Sequence, residues 1–548
     1  MMIQKARSEP KIFNIDDGRH MAALYQFQPP LRAADLTLNL DQMVSSGMDT
    51  LVYIAGLIGG SVLYDSKVAQ KIGDNVDRWV HPVYYRTARS VQRLVADGID
   101  PLKLLCDRAN EKGLWLLASA WNTVTGGLRE PYIWEGGNSD FAFDNPHLQV
   151  GEDEDPRSAH TDRTRFNFLH QELREERFRL FKELLDGYET DGLVLNFTEL
   201  VPLCKFSEVD DLSVLLTRWI SRLRDVAAAA ESDQGRRKMI YAKVPSHPDA
   251  CSMLGLDVEK WVASGLVDGL ICQNSLMPDP MDQYFDLRWV KSIVSGTDCR
   301  ILAATGTHIG RQLFRAATPP MIHAAAANAY SEGADGFSLI SGGGLAFDWP
   351  WGDATYATLR TLGDPDLLAR ADKIYRARAA ARKGSTPNFS RHPEEGPVDW
   401  TPGSQALLPI ALLEGKSVEI PILLSEKLQK CNDEGRIEQV QLNVRIAGLE
   451  ADLNEICIRL NDRELPDELL ELEDLTFRYV NGQVVTPYGF VYKYDLSPDY
   501  YPVVGTNRVS VALLKRDPNI EPPFQIYDID FAIKYKPHRN FNWHGLNY

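Results

Sequence analysis

The chain has 548 residues and a mass of 61.6 kDa, and its 44% hydrophobic and 25% charged content is typical of a globular protein with more than one domain. The formal net charge of −17 at pH 7 argues against nucleic acid and anionic membranes as partners. The first ten residues are polar, and no stretch approaches the roughly 18 apolar residues of a membrane span. These features predict a cytoplasmic protein, with a removed signal as the open alternative.

Short apolar runs alternate with amphipathic stretches of helical spacing from residue 11 onward. The runs predicted as strands are 11–14, 50–55, 114–118, 193–197, 238–244, 269–272, 300–304 and 336–340. The predicted helices are 31–44, 84–96, 101–111, 171–187 and 212–230, with others starting near residues 257, 287 and 319. Eight strands, each followed by helix, predict an α/β fold of the (β/α)8 TIM barrel type, which we place at residues 1–385.

The pattern changes after the predicted barrel. Residues 386–404 are rich in Pro and Gly and predict a linker. Residues 405–537 alternate apolar and polar positions, as in 440–446 and 526–533, and predict a smaller all-β sandwich domain. Residues 538–548 form an aromatic tail that we expect to dock on the barrel or on a second subunit, which makes a homo-oligomer an open option. The seven cysteines lack paired spacing, which predicts reduced thiols.

Candidate site residues follow the predicted strands, because TIM barrels carry their sites at the C-terminal ends of the strands. They are Asn14, Asp16 and Asp17 after the first strand, Trp121 and Asn122 after the third, Asn196 and Glu199 at the fourth, His247 after the fifth, Asn274 after the sixth, His308 after the seventh, and Asp348, Trp349 and Trp351 after the eighth. Amides and carboxylates bind sugar hydroxyls and indoles cover sugar C–H faces, so this mixture indicates a carbohydrate ligand. Neither a cofactor nor a metal ion is expected.

Four segments carry a resemblance to a known family: 166–174, 191–197, 255–269 and 324–336. They resemble the glycosyl hydrolase-like barrel proteins related to family 10, and the similarity covers roughly residues 11–382. The resemblance implies a TIM barrel with glycosidase activity on an oligosaccharide or small glycoside.

Glycosidase chemistry requires one carboxylic acid that protonates the leaving oxygen and a second carboxylate that acts as nucleophile or base. We expect Glu199 to be the acid, with burial raising its pKa. Asp17 and Asp348 are the main candidates for the second carboxylate, and Asp16 competes with them. The other candidates, from Asn14 to Trp351, are expected to bind substrate.

Two alternatives remain open from the sequence. The fourth strand has Val194 and Asn196 where the family usually has carboxylates, so the barrel could bind carbohydrate without catalysis. A lyase or isomerase could instead use His247 or His308 as its base.

Overall fold

The computed structural model describes residues 7–18, 31–79, 82–129, 137–274, 281–309, 315–341, 351–378, 407–475, 479–480, 483–484, 489–521 and 523–537. The predicted linker 386–404 and the aromatic tail 538–548 lie outside the described residues, as do Asp348 and Trp349.

Eight parallel strands close into a barrel. They are β1 (Ile12–Asp17), β2 (Thr50–Gly56), β3 (Trp115–Ala120), β4 (Gly192–Asn196), β5 (Met239–Pro245), β6 (Gly269–Gln273), β7 (Arg300–Gly306) and β8 (Gly336–Ser341). Neighbours pair in the closed order β1-β8-β7-β6-β5-β4-β3-β2. This confirms the predicted (β/α)8 TIM barrel. A short hairpin, His308–Ile309 with Arg315–Ala316, follows β7.

Helices surround the barrel. The α-helices described there are α1 (Ala33–Leu36), α2 (Leu38–Met43), α3 (Pro82–Ala96), α4 (Pro101–Lys112), α5 (Asp140–Asp144), α6 (Gln171–Lys182), α7 (Val209–Gln234), α8 (Pro248–Met253), α9 (Val258–Ala263), α10 (Arg288–Val294), α11 (Pro319–Ser331), α12 (Asp353–Leu362) and α13 (Pro365–Leu368). The helix predicted at 31–44 is two short helices, α1 and α2, which meet at Thr37. Within the described residues, no helix combines the length and the apolar character of a membrane span.

Side chains along each strand alternate between the barrel interior, called the lumen here, and the helical layer. The lumen core consists of Phe13, Ile15, Val52, Trp115, Leu117, Val194, Met239, Tyr241, Ile271, Leu302, Ala304 and Ile340. Residues of opposite parity, such as Leu51, Tyr53 and Leu195, belong to the larger core shared with the helices. This alternation decides which polar side chains can reach a site inside the mouth of the barrel.

The Asp191-Gly192 pair that opens the fourth strand lies at the N-terminal floor of the barrel, away from the mouth. The Asp191 carboxylate, 1% exposed, accepts from Arg7 Nη1 and Nη2 at 3.0 and 2.7 Å and from Arg236 Nη1 at 3.1 Å. It also accepts from the Leu116 backbone N–H at 2.9 Å, which ties β3 to β4. Gly192 has φ +135°, and a Cβ there would overlap the carbonyl oxygen of Met239. The pair therefore stabilises the barrel floor.

The C-terminal domain is built from antiparallel sheets. The strands of its two main sheets are β9 (Lys373–Arg376), β10 (Ile410–Leu412), β11 (Ser417–Leu424), β12 (Ile437–Ala447), β13 (Glu455–Leu460), β14 (Arg463–Glu464), β15 (Leu470–Asp474), β16 (Gly489–Asp495), β17 (Gly505–Lys515) and β18 (Phe524–Tyr535). One sheet runs β9-β18-β12-β16-β15, with β10 also on β18, and the other runs β11-β17-β13-β14. A helix, α14 (Leu428–Asp433), and a short hairpin, Tyr479–Val480 with Gln483–Val484, complete the described part.

The sheet of the C-terminal domain begins earlier than the sequence suggested. Strand β9 lies inside the range predicted for the barrel, yet it pairs with β18. Its Tyr375 is fully buried in the core of the second domain, which explains why the chain joins that sheet before the predicted linker. The seven cysteines are free thiols, as predicted.

Candidate active site

The end of β4 forms a compact polar turn at the mouth of the lumen. Asn196 pairs in register with Lys243 of β5, and both share the parity of lumen residues Val194 and Tyr241. Asn196 Oδ1 accepts from the Thr198 backbone N–H at 3.1 Å and from Thr198 Oγ1 at 3.0 Å. The turn directs the next carboxylate back toward the strand end, because Asn196 Nδ2 donates to an oxygen of Glu199 at 3.3 Å.

Lys243 is the cation of this site, and the sequence analysis missed it. Its Nζ donates to Glu199 Oε1 at 3.1 Å, and the Lys243 and Glu199 side chains are only 2% and 12% exposed. Two donors thus meet on one oxygen of Glu199, the carboxylate that the sequence analysis expected to act as the acid. The available signal was a lysine within an apolar strand, at a position of lumen parity.

Asp17 lies across the mouth from this ion pair. It is the last residue of β1 and pairs with Ile54 of β2, which packs against the lumen core. Strand β5 is four strands away from β1 in either direction around the barrel. Asp17 and Lys243 therefore lie on opposite walls of the barrel, and Glu199 follows β4, three strands from β1.

Asn14 and Asp16 do not share the lumen-facing parity of Phe13 and Ile15. Strand β1 continues to Asp17, three residues beyond the predicted end, so both positions fall within the strand and alternate toward the helical layer. Asp16 pairs with Tyr53 of that layer, and its Oδ1 has no hydrogen-bond partner among the described residues. Burial, and secondarily the charge of Asp17, raise the pKa of Asp16 well above its usual range.

Trp121 and Asn122 follow β3 and border the same mouth. Asn122 is buried and donates from Nδ2 to the Asn196 backbone carbonyl at 2.6 Å, which fastens the ends of β3 and β4 to each other. Trp121 is half-buried, and its carbonyl oxygen accepts from the buried Arg177 at 3.4 Å. Trp121 is thus a partly exposed residue next to Asn122, which binds the Asn196 carbonyl.

The polar residues after β5 and β6 mainly form hydrogen bonds with groups close to them. His247 Nδ1 accepts from the Asp249 backbone N–H at 3.2 Å and caps α8. Asn274 accepts a hydrogen bond from Ser246 Oγ and donates to Asp282 Oδ2 at 3.2 Å. The His308 backbone belongs to the short hairpin after β7, and its side chain lies outside the described part of the structure.

Trp351 does not present an open face for a sugar. Its side chain is 9% exposed and belongs to the core between barrel and helices, where it meets the Tyr356 ring edge-on at 5.9 Å. Its backbone N–H donates to Gln42 Oε1 at 2.7 Å. The sequence suggested a stacking platform because it showed two indoles in one loop but not the helical core beneath Trp351. Among the described residues, no cluster of His, Cys, Asp or Glu side chains is arranged to hold a metal ion.

No protein-family model and no curated protein sequence matches the chain. Several solved structures show a distant similarity. The glycoside hydrolase domain of PgaB (BpsB) from Bordetella bronchiseptica is 13% identical with a TM-score of 0.42, over 65% of this chain and 99% of that one. The α-L-fucosidase isoenzyme 2 from Paenibacillus thiaminolyticus is 14% identical with a TM-score of 0.42, over 66% and 49%. The class V chitinase from Pseudomonas fluorescens Pf-5 is 11% identical with a TM-score of 0.34, over 65% and 99%.

Proposed function

We propose that this protein is a glycoside hydrolase whose chemistry takes place at the mouth of the barrel. The observation that carries the proposal is the Glu199 carboxylate, held by Lys243 and Asn196 at the C-terminal ends of adjacent strands. Barrel enzymes place catalytic groups at this end, and glycosidases depend on positioned carboxylates.

In this proposal Glu199 acts as the nucleophile or base. The Lys243 ammonium and the Asn196 amide fix the orientation of Glu199 and stabilise its negative charge. Asp17 on the opposite wall supplies the proton to the leaving oxygen, and a glycoside placed between them would have its scissile bond flanked by carboxyl groups. Asp348 remains the alternative second carboxylate. Trp121 would cover a sugar face beside the Asn196 turn.

One observation favours a second candidate, a barrel that binds carbohydrate without cleaving it. Both Lys243 and Asn196 donate to the same oxygen of Glu199, so this carboxylate is satisfied within the protein itself. A lyase or isomerase that uses His247 gains no support, because its Nδ1 accepts from the backbone of α8.

Hydrolysis of a panel of p-nitrophenyl glycosides and neutral oligosaccharides tests the proposal. For any substrate that is cleaved, Glu199→Gln should lower kcat by about 10³-fold or more, and Asp17→Asn should lower it by about 10²-fold, as loss of a catalytic group does. Asp249→Asn is the matched control, because that carboxylate is 74% exposed near the same face.

The outcomes separate the two candidates. Sugar binding by calorimetry without turnover in the wild-type protein would favour the binding barrel. Unchanged turnover in Glu199→Gln would remove Glu199 from the mechanism.

A further inference from the structure

A row of polar contacts connects the segment after β9 with the ends of β5 and β6. Arg378 Nη2 lies 3.0 Å from Asp282 Oδ2 in an ion pair. The same Asp282 oxygen accepts from Asn274 Nδ2 at 3.2 Å, and Asn274 Oδ1 accepts from Ser246 Oγ. Ser246 and Asn274 are the first residues after β5 and β6. The row therefore ends beside the strand that carries Lys243.

The contacts are well shielded and hold residues 281–287, the described part of the loop after β6, in place. The Arg378 and Asp282 side chains are each 15% exposed, and Asn274 is buried. The Asp282 backbone N–H donates to Thr305 Oγ1 at 2.8 Å, and Thr305 Oγ1 donates to the Asp282 carbonyl at 2.9 Å. Tyr284 N–H donates to Asp282 Oδ1 at 2.9 Å. Asp282 is thus the point where the loop, β7 and Arg378 meet.

The neighbouring residue fastens the same loop to the C-terminal domain. Gln283 Nε2 donates to the Ile374 carbonyl of β9 at 2.8 Å, and Gln283 Oε1 accepts from the Arg376 backbone N–H at 2.6 Å. Asn328 of α11 donates to the Gln283 carbonyl at 2.8 Å and to the Leu423 carbonyl of β11 at 3.1 Å. The position of the loop is therefore set by the C-terminal domain as well as by the barrel.

We infer that Arg378 is a positioning residue of the active site, through which the C-terminal domain holds Asp282, Asn274 and the end of β5 in register. The catalytic part of this inference rests on the proposed glycosidase function. Removal of the guanidinium leaves the Asp282 carboxylate shielded without its cation, and the loop relaxes toward solvent. Ser246 lies three residues after Lys243, at the end of β5. Movement of Ser246 with the loop therefore displaces Lys243, the cation that holds Glu199.

Misplacement of a catalytic group by about 1 Å can cost on the order of 10²-fold in rate. We therefore expect Arg378→Met to lower kcat by about 10- to 100-fold with a smaller change in KM. Arg378→Lys should recover part of this loss, because Lys keeps the charge but lacks the planar fork of Arg.

The experiment uses the full chain carrying Arg378→Met, Arg378→Lys or Asp282→Asn. Arg376→Met is the matched control: its guanidinium pairs with Asp528 of β18 at 2.6 Å inside the C-terminal domain, and the substitution keeps the backbone contact to Gln283. Amide hydrogen exchange over 246–251 and 281–287 is measured together with kcat and KM.

The inference predicts faster exchange in both segments and a lower kcat for Arg378→Met and Asp282→Asn. Arg378→Lys should show intermediate exchange and an intermediate kcat. The Arg376→Met control should match the wild-type protein in both measurements. Wild-type exchange in Arg378→Met would overturn it, as would equal effects in Arg376→Met, which would indicate general loosening of the C-terminal domain. If the wild-type protein cleaves no glycoside, the proposed function fails, while the exchange data still decide the coupling.

Discussion

Replacing Lys243 with Met perturbs the contact on which the active-site proposal depends. The Lys243 ammonium lies 3.1 Å from Glu199 Oε1, and both side chains are almost fully buried. At an effective dielectric constant of about 20 the attraction at this distance is roughly 5 kcal/mol, and removal of one partner from a buried pair typically costs about 3–5 kcal/mol. Glu199 keeps some exposure, so we expect a loss of about 3 kcal/mol in the free energy of unfolding.

Urea unfolding followed by tryptophan fluorescence measures this loss, and a double-mutant cycle assigns it to the pair. Adding Glu199→Gln to Lys243→Met removes the carboxylate that has lost its cation, so the double variant should be more stable than Lys243→Met alone. Lys103→Met is the matched control, because Lys103 pairs with Asp107 at 3.0 Å with both side chains more than half exposed. The control should lose less than about 1 kcal/mol.

Two results would refute the reasoning. A loss below about 1 kcal/mol in Lys243→Met would place the pair among ordinary surface ion pairs. Additive effects in the cycle would show that Lys243 and Glu199 stabilise the fold independently.

Three further predictions concern residues outside the mouth. Asp191→Asn should lower the free energy of unfolding by about 3 kcal/mol, because Arg7 loses its buried counterion. The kcat of the folded protein should stay at the wild-type value. Gly192→Ala should abolish soluble expression, since the added Cβ overlaps a backbone carbonyl. The raised pKa of Asp16 means that the folded state binds more protons than the unfolded chain above about pH 4, so this carboxyl lowers stability as pH rises. Asp16→Asn should therefore raise the melting temperature by an amount that grows as pH rises above about 4 and shrinks toward pH 4; a constant difference would contradict the assignment.

The barrel could be predicted because its physical requirements are local and repeated. Parallel strands covered on both faces appear as short apolar runs, and all eight predicted runs overlap observed strands. The ends of the runs were less certain, since polar residues that continue a strand resemble the start of a loop. Strand β1 shows the consequence: its last three residues were assigned to a loop, so the sides to which Asp16 and Asp17 point could not be known.

The candidate site could be predicted only where a polar residue stands at a strand end. Asn196 and Glu199 were proposed because they stand at or just after the end of a short apolar strand, and the structure brings their side chains together. Lys243 was not assigned to the site, because a single lysine within a strand is commonly a solvated edge residue. Its side chain points into the lumen only because the barrel closes. Trp351 shows the reverse case, in which an aromatic residue expected at the surface is taken up by the core of the helical layer.

The segment from Asp191 to Glu199 contains two separate charge assemblies at the two ends of one strand. At the floor, two arginines neutralise Asp191 and tie β3 and β4 together. At the mouth, one buried lysine holds Glu199. TIM barrels generally use residues at the N-terminal floor for stability and residues at the C-terminal mouth for chemistry. Strand β4 is thus tied to β3 at the floor through the Asp191 carboxylate and pairs with β5 along its length, and this pairing places Asn196 next to Lys243.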